Sequence, residues 1–293
     1  MALMQNFNRI VRLKIYTASG DVTVIDCPTK GRKPKIEING TFSNQSYLPS
    51  FNITITNLYL NLRDNAYSTV EVEAGYEGRT TTFTGKIFSL YQEAPGPEGR
   101  TVIQCKEGNI EPWLDATVQI SAESGAPLLT VLNTIAKTLG VYRVVPGASV
   151  NAMTLKQRME HDGSARGAIE KLKNMFEDKR LDVFVRGNFL CAILLQEGQD
   201  FINSYVLEYM SAPPQENVGG SDGTYYTTIT APWMPELRIG DRLTIPSRTY
   251  IRSLVKVGNV TGKQDIKVSK LSFHFATTGS INQMTVQGYL VGK

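Results

Sequence analysis

Cysteine is scarce in this sequence, at three residues in 293. Cys27, Cys105 and Cys191 stand roughly eighty residues apart, and no pair has metal-ligand spacing. The odd count excludes a fully paired disulfide framework. Each thiol lies among apolar, strand-like neighbours, so three buried free thiols are expected, in a chain assembled in a reducing cytosol. Histidine is scarcer still, with only His161 and His274. His161, in His161-Asp162-Gly163, reads as a turn residue beside a helix start. His274 alternates with Phe273 and Phe275 and falls on the opposite face of a strand. Neither has the partners of a nucleophile–base–orienter set, and no Gly-x-Ser-x-Gly elbow or paired-histidine zinc motif occurs. The run Gly258 to Lys263 is one residue too short for a phosphate-binding loop, has Gln264 where Ser or Thr belongs, and links strands instead of opening a helix. The expectation is no catalytic residue, no metal and no cofactor.

Long apolar runs are also missing. No stretch approaches the about 18 residues of a membrane helix, and the first residues carry no apolar leader core, so neither a signal peptide nor a span is expected. Four Asn-x-Ser/Thr sequons, at Asn39, Asn44, Asn52 and Asn259, then read as chance matches. Charge of one sign is not in excess, at net +4. The densest basic run, Lys30 to Lys35, contains no aromatic residue, which argues for a solvated loop over a nucleic-acid stripe. At 41% hydrophobic and 20% charged residues the composition is that of a globular chain, long enough for about two domains.

What the sequence has is alternation. Val11, Leu13 and Ile15 interleave with Arg12 and Lys14; Ile36 and Ile38 with Glu37; Phe51, Ile53 and Ile55 with Asn52 and Thr54. Ser68 to Gln92 reads as a hairpin, with Val70, Val72 and Ala74 on one face and Thr69, Glu71 and Glu73 on the other. Gly75 and Gly78 bracket its turn, Tyr76 to Arg79. Thr101 to Lys106 adds a further strand. Gly and Pro at nearly every junction point to a barrel or sandwich. Asn57 to Asn65 is either a short helix or a bulged crossover.

The middle is different. Leu128, Leu132, Ile135, Ala136 and Leu139 have helical spacing, with Pro127 in the first turn, Ser124 or Gly125 as cap and Gly140 as stop. A second helix follows Gly163-Ser164, with Ala165, Ile169, Leu172 and Phe176 inward. Asp182 to Arg186 and Phe189 to Leu194 form a hairpin over Gly187-Asn188. Strands return from Tyr225 to Thr230, Leu254 to Val257, Ile266 to Phe275 and Met284 to Leu290, with Trp233 to Pro246 among them. No internal sequence repeat is visible, yet two β-modules bracket one α+β piece.

In order, these segments resemble the baseplate hub proteins of contractile-tailed phages and related injection machines. The carriers are Asn57-Leu58 closing a strand, Ala74-Gly75-Tyr76, then Phe83, Gly85 and Ile87. They are followed by Pro127 to Gly140 in the insert, then Trp233, Pro235, Gly240 and Asp241 in the segment opening the last module. The resemblance implies a β-rich α+β chain with tail-tube-like β-barrels at 1–111 and 200–293 and an α+β insert at 112–199. It implies a homotrimer whose six barrels match a hexameric tail tube on one side and a trimeric central spike on the other. Tube-initiator, baseplate wedge and tape measure proteins are further implied partners, and DNA would pass without specific binding. The setting is the virion baseplate, assembled in host cytoplasm, with the spike a separate chain. The face bearing Thr69, Glu71 and Glu73 would line a lumen or meet neighbouring subunits. Two alternatives stand beside this one. The first is the tip hub of a non-contractile tail or a bacterial injection system. The second is a carbohydrate-binding or glycan-cleaving β-domain protein, for which Trp113, Tyr225, Tyr226, Trp233 and the pair Glu71 and Glu73 are candidates.

Overall fold

The computed structural model describes residues 8–27, 34–43, 50–58, 60, 66–93, 98–107, 116–141, 143–207, 215–219, 224–245, 264–279 and 282–291, without the side chains of 215–219, 224–226 and 264. Trp113, the loop from Gly258 to Lys263, the strand expected at Leu254 to Val257, most of Lys30 to Lys35 and most of Asn57 to Asn65 lie outside the described residues, as do the side chains of Tyr225 and Tyr226.

The first strands are β1 (Arg9–Thr17), β2 (Val22–Cys27), β3 (Ile36–Ser43), β4 (Ser50–Thr56), β5 (Tyr67–Tyr76), β6 (Arg79–Glu93) and β7 (Arg100–Glu107). The middle contains β8 (Thr117–Ala122), α1 (Leu128–Thr138), β9 (Arg143–Pro146), β10 (Met159–Ser164), α2 (Ala165–Met175), β11 (Leu181–Arg186) and β12 (Phe189–Leu194). The last strands are β13 (Ser204–Val206), β14 (Gln215–Gly219), β15 (Thr224–Pro232), β16 (Arg242–Ile245), β17 (Gln264–Ala276) and β18 (Gln283–Leu290). The chain is mostly β-sheet, with two α-helices among the described residues.

The sequence separates a first and a last β-module. In the structure their strands join one 13-stranded sheet, in the order β14-β15-β18-β17-β3-β4-β7-β6-β5-β1-β2, with β16 and β13 branching from β17. The junction is β17 against β3, antiparallel, from Lys270 opposite Ser43 to Ala276 opposite Glu37. The sheet curls around one core to which both modules contribute. Phe83 is its hub, with ring centroids 4.9 Å from Phe51, 6.4 Å from Phe42 and 6.2 Å from Phe273.

Five strands of each module follow the same plan. A hairpin (β3–β4; β14–β15) comes first. Another strand (β5; β16) pairs the opening half of a long strand (β6; β17). The long strand then shifts register, between Ile87 and Ser89 in β6 and between Val268 and Lys270 in β17. Its closing half pairs the final strand (β7; β18), which lies beside the second strand of the hairpin. A bulge of this kind bends a strand and lets its two halves serve different neighbours.

The middle has its own core. Here β9, β12 and β11 form a three-stranded sheet and β8 pairs β10. Strand β11 sends Val183 and Val185 to this core and Phe184 to the other one. Burial on both faces explains its unbroken apolar run. Helix α1 ends in a Schellman motif: the Gly140 amide donates to Lys137 O and the Val141 amide to Ala136 O, with Gly140 at φ +65°. Its start differs from the expectation. Pro127 itself is the N-cap, with no side-chain cap, while the Ser124 hydroxyl donates to Lys156 O instead. For α2, Ser164 caps as its position suggests, accepting from the Gly167 amide at 3.1 Å. His161 is no turn residue. It sits in β10 opposite Ile120, with Nε2 2.9 Å from Ser164 O. In the first hairpin the turn is shorter than the glycines suggest: Gly75 and Tyr76 remain in β5, and Glu77-Gly78 alone makes the reversal. A Cβ on Gly75 would fall 2.3 Å from Arg79 O, so the hairpin excludes any side chain there.

Candidate functional site at a buried ionic junction

Trp233 to Asp241 leaves β15 and crosses the core. Trp233 stacks on Phe273 at 5.1 Å and 9° and meets Phe275 at 4.5 Å. That contact fixes the segment so that its charges point inward. Arg238 is buried. Its Nη1 donates to Pro235 O (2.7 Å) and Leu237 O (3.0 Å), and its Nη2 to Thr81 Oγ1 (3.0 Å). The guanidinium lies over the rings of Phe42 and Phe83. Asp241 is wholly buried and accepts from Arg186 Nη1 at 2.6 Å, the Arg238 amide at 2.9 Å and the Asn203 amide at 3.1 Å. Gly240, at φ +81°, turns the chain between them, and a Cβ there would sit 2.5 Å from the Phe184 ring. Burial pushes the Glu107 carboxyl up, against Arg238, Arg186 and the Gly187 amide. Two arginines and two carboxylates from β7, β11 and the Arg238–Asp241 turn thus lie close enough to favour one another's charged forms, with Arg186 and Asp241 directly bonded. Such a cluster holds segments in place, and removing one member strands the rest. At its rim Arg79 pairs Glu236 at 2.8 Å, partly in water, where a pair contributes little.

A second polar tie joins the middle to the last strands. Asp200 accepts from the Ser149 amide (2.7 Å) and the Leu194 amide (2.5 Å). Lys267, fully buried, donates from Nζ to Leu194 O at 2.5 Å and to Glu197 O. Burial lowers its pKa to about 8, opposed by Asp200 and Glu197.

The solvated sheet face is polar. Cross-strand pairing lines up Ser50, Thr41, Ser272, Thr285 and Thr230 in one row and Gln104, Asn52, Asn39, His274 and Gln283 in the next. Thr41 and Ser272 hydroxyls are 3.1 Å apart. On β1, Arg12 pairs Asp26 at 2.8 Å and Lys14 pairs Glu71 at 2.6 Å. The pair Glu71 and Glu73 therefore belongs to a charge-compensated face: Glu71 holds Lys14 and Glu73 accepts from Thr80.

The junction gathers much of the sequence pattern. Tyr76, edge-to-face on Phe275 at 5.7 Å, and Phe83 come from the hairpin; Trp233, Pro235, Gly240 and Asp241 come from the crossing segment. Pro235 Cγ would lie 3.1 Å from a Cβ on Gly75. Ala74 is buried on β5, Ile87 packs against the core, and Gly85 leaves room for the Phe51 ring. Asn57 and Leu58 lie apart from the junction. Asn57 takes φ +59°, which suits asparagine, and Leu58 O accepts from Thr101. Pro127 and Gly140 bound α1. Sequence reasoning missed Glu107, Arg186 and Asp200, which lie singly in strands and loops with no motif to mark them. Cys27, Cys105 and Cys191 are buried thiols. Among the described residues no cluster of three acids, histidines or cysteines forms a cation site, and no helix is long and apolar enough to cross a membrane.

Solved phage tail proteins share this fold. No family model matches the sequence and no curated protein matches it. A tail protein from Neisseria meningitidis MC58 superposes with a TM-score of 0.59 at 9% identity over 95% of this chain and 96% of its own. The 43 kDa tail protein of prophage MuSo2 from Shewanella oneidensis gives 0.59 at 10% identity, over 97% and 99%. An Escherichia coli component of the type VI secretion system, described as structurally similar to the T4 tail proteins gp27 and gp5, gives 0.55 at 8% identity, over 96% and 77%. At these identities the likeness is one of fold.

Proposed function

We propose that this chain is a structural subunit of a phage-tail baseplate hub, with no turnover of substrate. Three copies form a pseudo-hexameric ring that joins a hexameric tail tube to a trimeric central spike. Its units are two tube-like barrels, 1–111 and 200–293, and an insert, 112–199. The observation that carries the reading is the end-to-end superposition on tail proteins. The repeated five-strand plan supports it, since one chain then supplies two similar units to the ring. The buried ionic junction supports a structural part, because Arg186 and Asp241 bond each other instead of a ligand. The hydroxyl and amide rows support a conduit lining, being rich in neutral polar groups across β3, β4, β15, β17 and β18; beyond Ser50 the hydroxyl row continues to Lys106 and Lys86, and Arg12 and Lys14 are held by acids. Subunit interfaces are expected in the obligate class, above roughly 2,000 Å².

The test is location and stoichiometry in the particle. Antibody against the chain should label the spike end of isolated tails, at three copies per tail by quantitative mass spectrometry. Label along the whole tube, or six copies, would overturn the reading. The likeness to the type VI component favours a second setting, a bacterial injection system. Recovery of the chain with sheath and tube from uninfected cells decides between the two.

A further inference from the structure

The two strand sets differ in what covers the face beside the bulge. Aligning them through their bulges places Lys86, Ile87 and Phe88 of β6 with Lys267, Val268 and Ser269 of β17, and Lys106 of β7 with Tyr289 of β18. In the second set the place is covered. The segment leaving β12 lies over it, and Lys267 donates from Nζ to Leu194 O and Glu197 O. That segment carries two acids, Glu197 and Asp200. Lys267, Val268 and Ser269 are accordingly 0%, 2% and 6% exposed. In the first set the place is open among the described residues. Phe88 is 56% exposed, Lys106 is exposed, and Lys86 and Ile87 are only partly buried. Lys86 and Lys106 also stand directly opposite each other. Like charges in that position repel, and an anion between them removes the penalty. Phe88 flanks the pair, its ring centroid 5.6 Å from Lys106 Nζ, so charge and apolar surface are offered side by side.

We infer that Lys86, Lys106 and Phe88 form a docking surface for an extended acidic segment of a different protein, seated as Leu194 to Asp200 is seated on the second set. The chain itself supplies the template. A lysine at this point of the plan donates to the backbone carbonyls of a segment bearing two acids. The first set has a second lysine where the other has Tyr289, so its occupant is at least as acidic. Phe88 replaces the small Ser269 and presents a ring on which an apolar side chain of the occupant can pack. A sister copy is a poor occupant. Its own segment is already held by its own Lys267 and by the Ser149 and Leu194 amides that donate to Asp200. Passing nucleic acid is a poor one too, because the equivalent point of the second set lies under the insert. The surface is complete within one chain and needs no ring.

The test is fluorescence anisotropy of the full chain at low salt, with a labelled synthetic peptide of residues 194–201 as the probe. Saturable binding is expected, falling as salt is raised. It should weaken about tenfold or more when the chain carries Lys86→Glu with Lys106→Glu, and by a similar factor when the peptide carries Glu197→Gln with Asp200→Asn. Should the charge-reversed chain misfold, Lys86→Gln with Lys106→Gln decides, because neutralising the pair relieves its repulsion; the same weakening is expected. Equal binding by the wild type and the lysine variants overturns the proposal, as does no binding at millimolar peptide. An oligothymidylate of equal length that binds more tightly than the peptide through the same lysines makes the occupant nucleic acid. Self-association that disappears with the lysines makes it a sister copy. Either result overturns the proposal and leaves the hub reading standing.

Discussion

The strand sets β3–β7 and β14–β18 share a backbone plan and almost no side chains. At corresponding positions the core is filled from opposite partners. In the first set Phe51 of β4 fills space over Gly85 of β6, where a Cβ would lie 2.4 Å from the ring. In the second, Thr227 replaces the phenylalanine, and Ile266 of β17 packs toward Gly288 of β18, its Cδ1 3.2 Å from a Cβ placed there. Volume is conserved while residue identity is exchanged, which is how a core tolerates divergence. A second contrast concerns lysine. Lys86 and Lys267 stand at the same point of their long strands, yet Lys86 is half-exposed and Lys267 wholly buried, because the segment leaving β12 covers only the second. Equivalent backbone thus serves different ends: among the described residues the closing half of β6 has one strand neighbour where that of β17 has two, and the second set carries the insert.

The contrast breaks most easily at Asp241. Asp241→Ala takes from Arg186 the carboxylate that it bonds, and leaves the Arg238 and Asn203 amides without their acceptor, so it should cost about 3–5 kcal/mol in urea unfolding. A loss under 1 kcal/mol would show that the junction is not held by charge. Next comes the exchange of core volume. Gly85→Ile alone overpacks against Phe51, at about 1–3 kcal/mol. Combined with Phe51→Thr it imitates the second set, and the two changes together should cost less than their sum by about 1 kcal/mol or more. Strict additivity in that cycle would deny the correspondence.

Lys267 gives a pH signature. Its folded pKa, about 8, lies below the ordinary 10.5. Between those values the unfolded chain holds a proton that the folded chain has released, so stability rises with pH across the window. Below about 8 both states are protonated and the contribution to the slope vanishes. The gain reaches about 3 kcal/mol at most. Relative to the wild type, Lys267→Met should lose this rise, read as the difference in urea midpoint between pH 7.5 and 10; parallel curves would contradict the burial of the ammonium. The smallest effect belongs to the solvated face. Arg12→Ala breaks a half-exposed pair and should shift stability by less than about 1 kcal/mol, and less again in high salt.

Much of this architecture is legible in the chain. Alternation finds β1, β3–β7, β15, β17 and β18, because each has one wet face. Helical spacing, Ser164 and Gly140 find both helices. The order of Gly75, Tyr76, Phe83, Trp233, Pro235, Gly240 and Asp241 marks segments that meet at the junction. Less is legible where pairing is non-local. Strands β10 and β13 are short and polar, and their sequences do not alternate cleanly; β8 alternates, but over six residues only. The β17–β3 joint links residues more than 200 positions apart, and nothing in either strand names the other. Glu107 and Arg186 are the last residues of β7 and β11, and only folding reveals that they lie near each other. The topological repeat escapes sequence comparison because its conserved quantity is backbone order, with the packing traded between strands.

The central claim is that three copies of this chain build one pseudo-hexameric ring. A cryo-EM reconstruction of the assembled particle tests it most directly. The account predicts a threefold ring of six similar β-units at the spike end of the tail. A ring of another symmetry, or a density that fits one chain only, would contradict it.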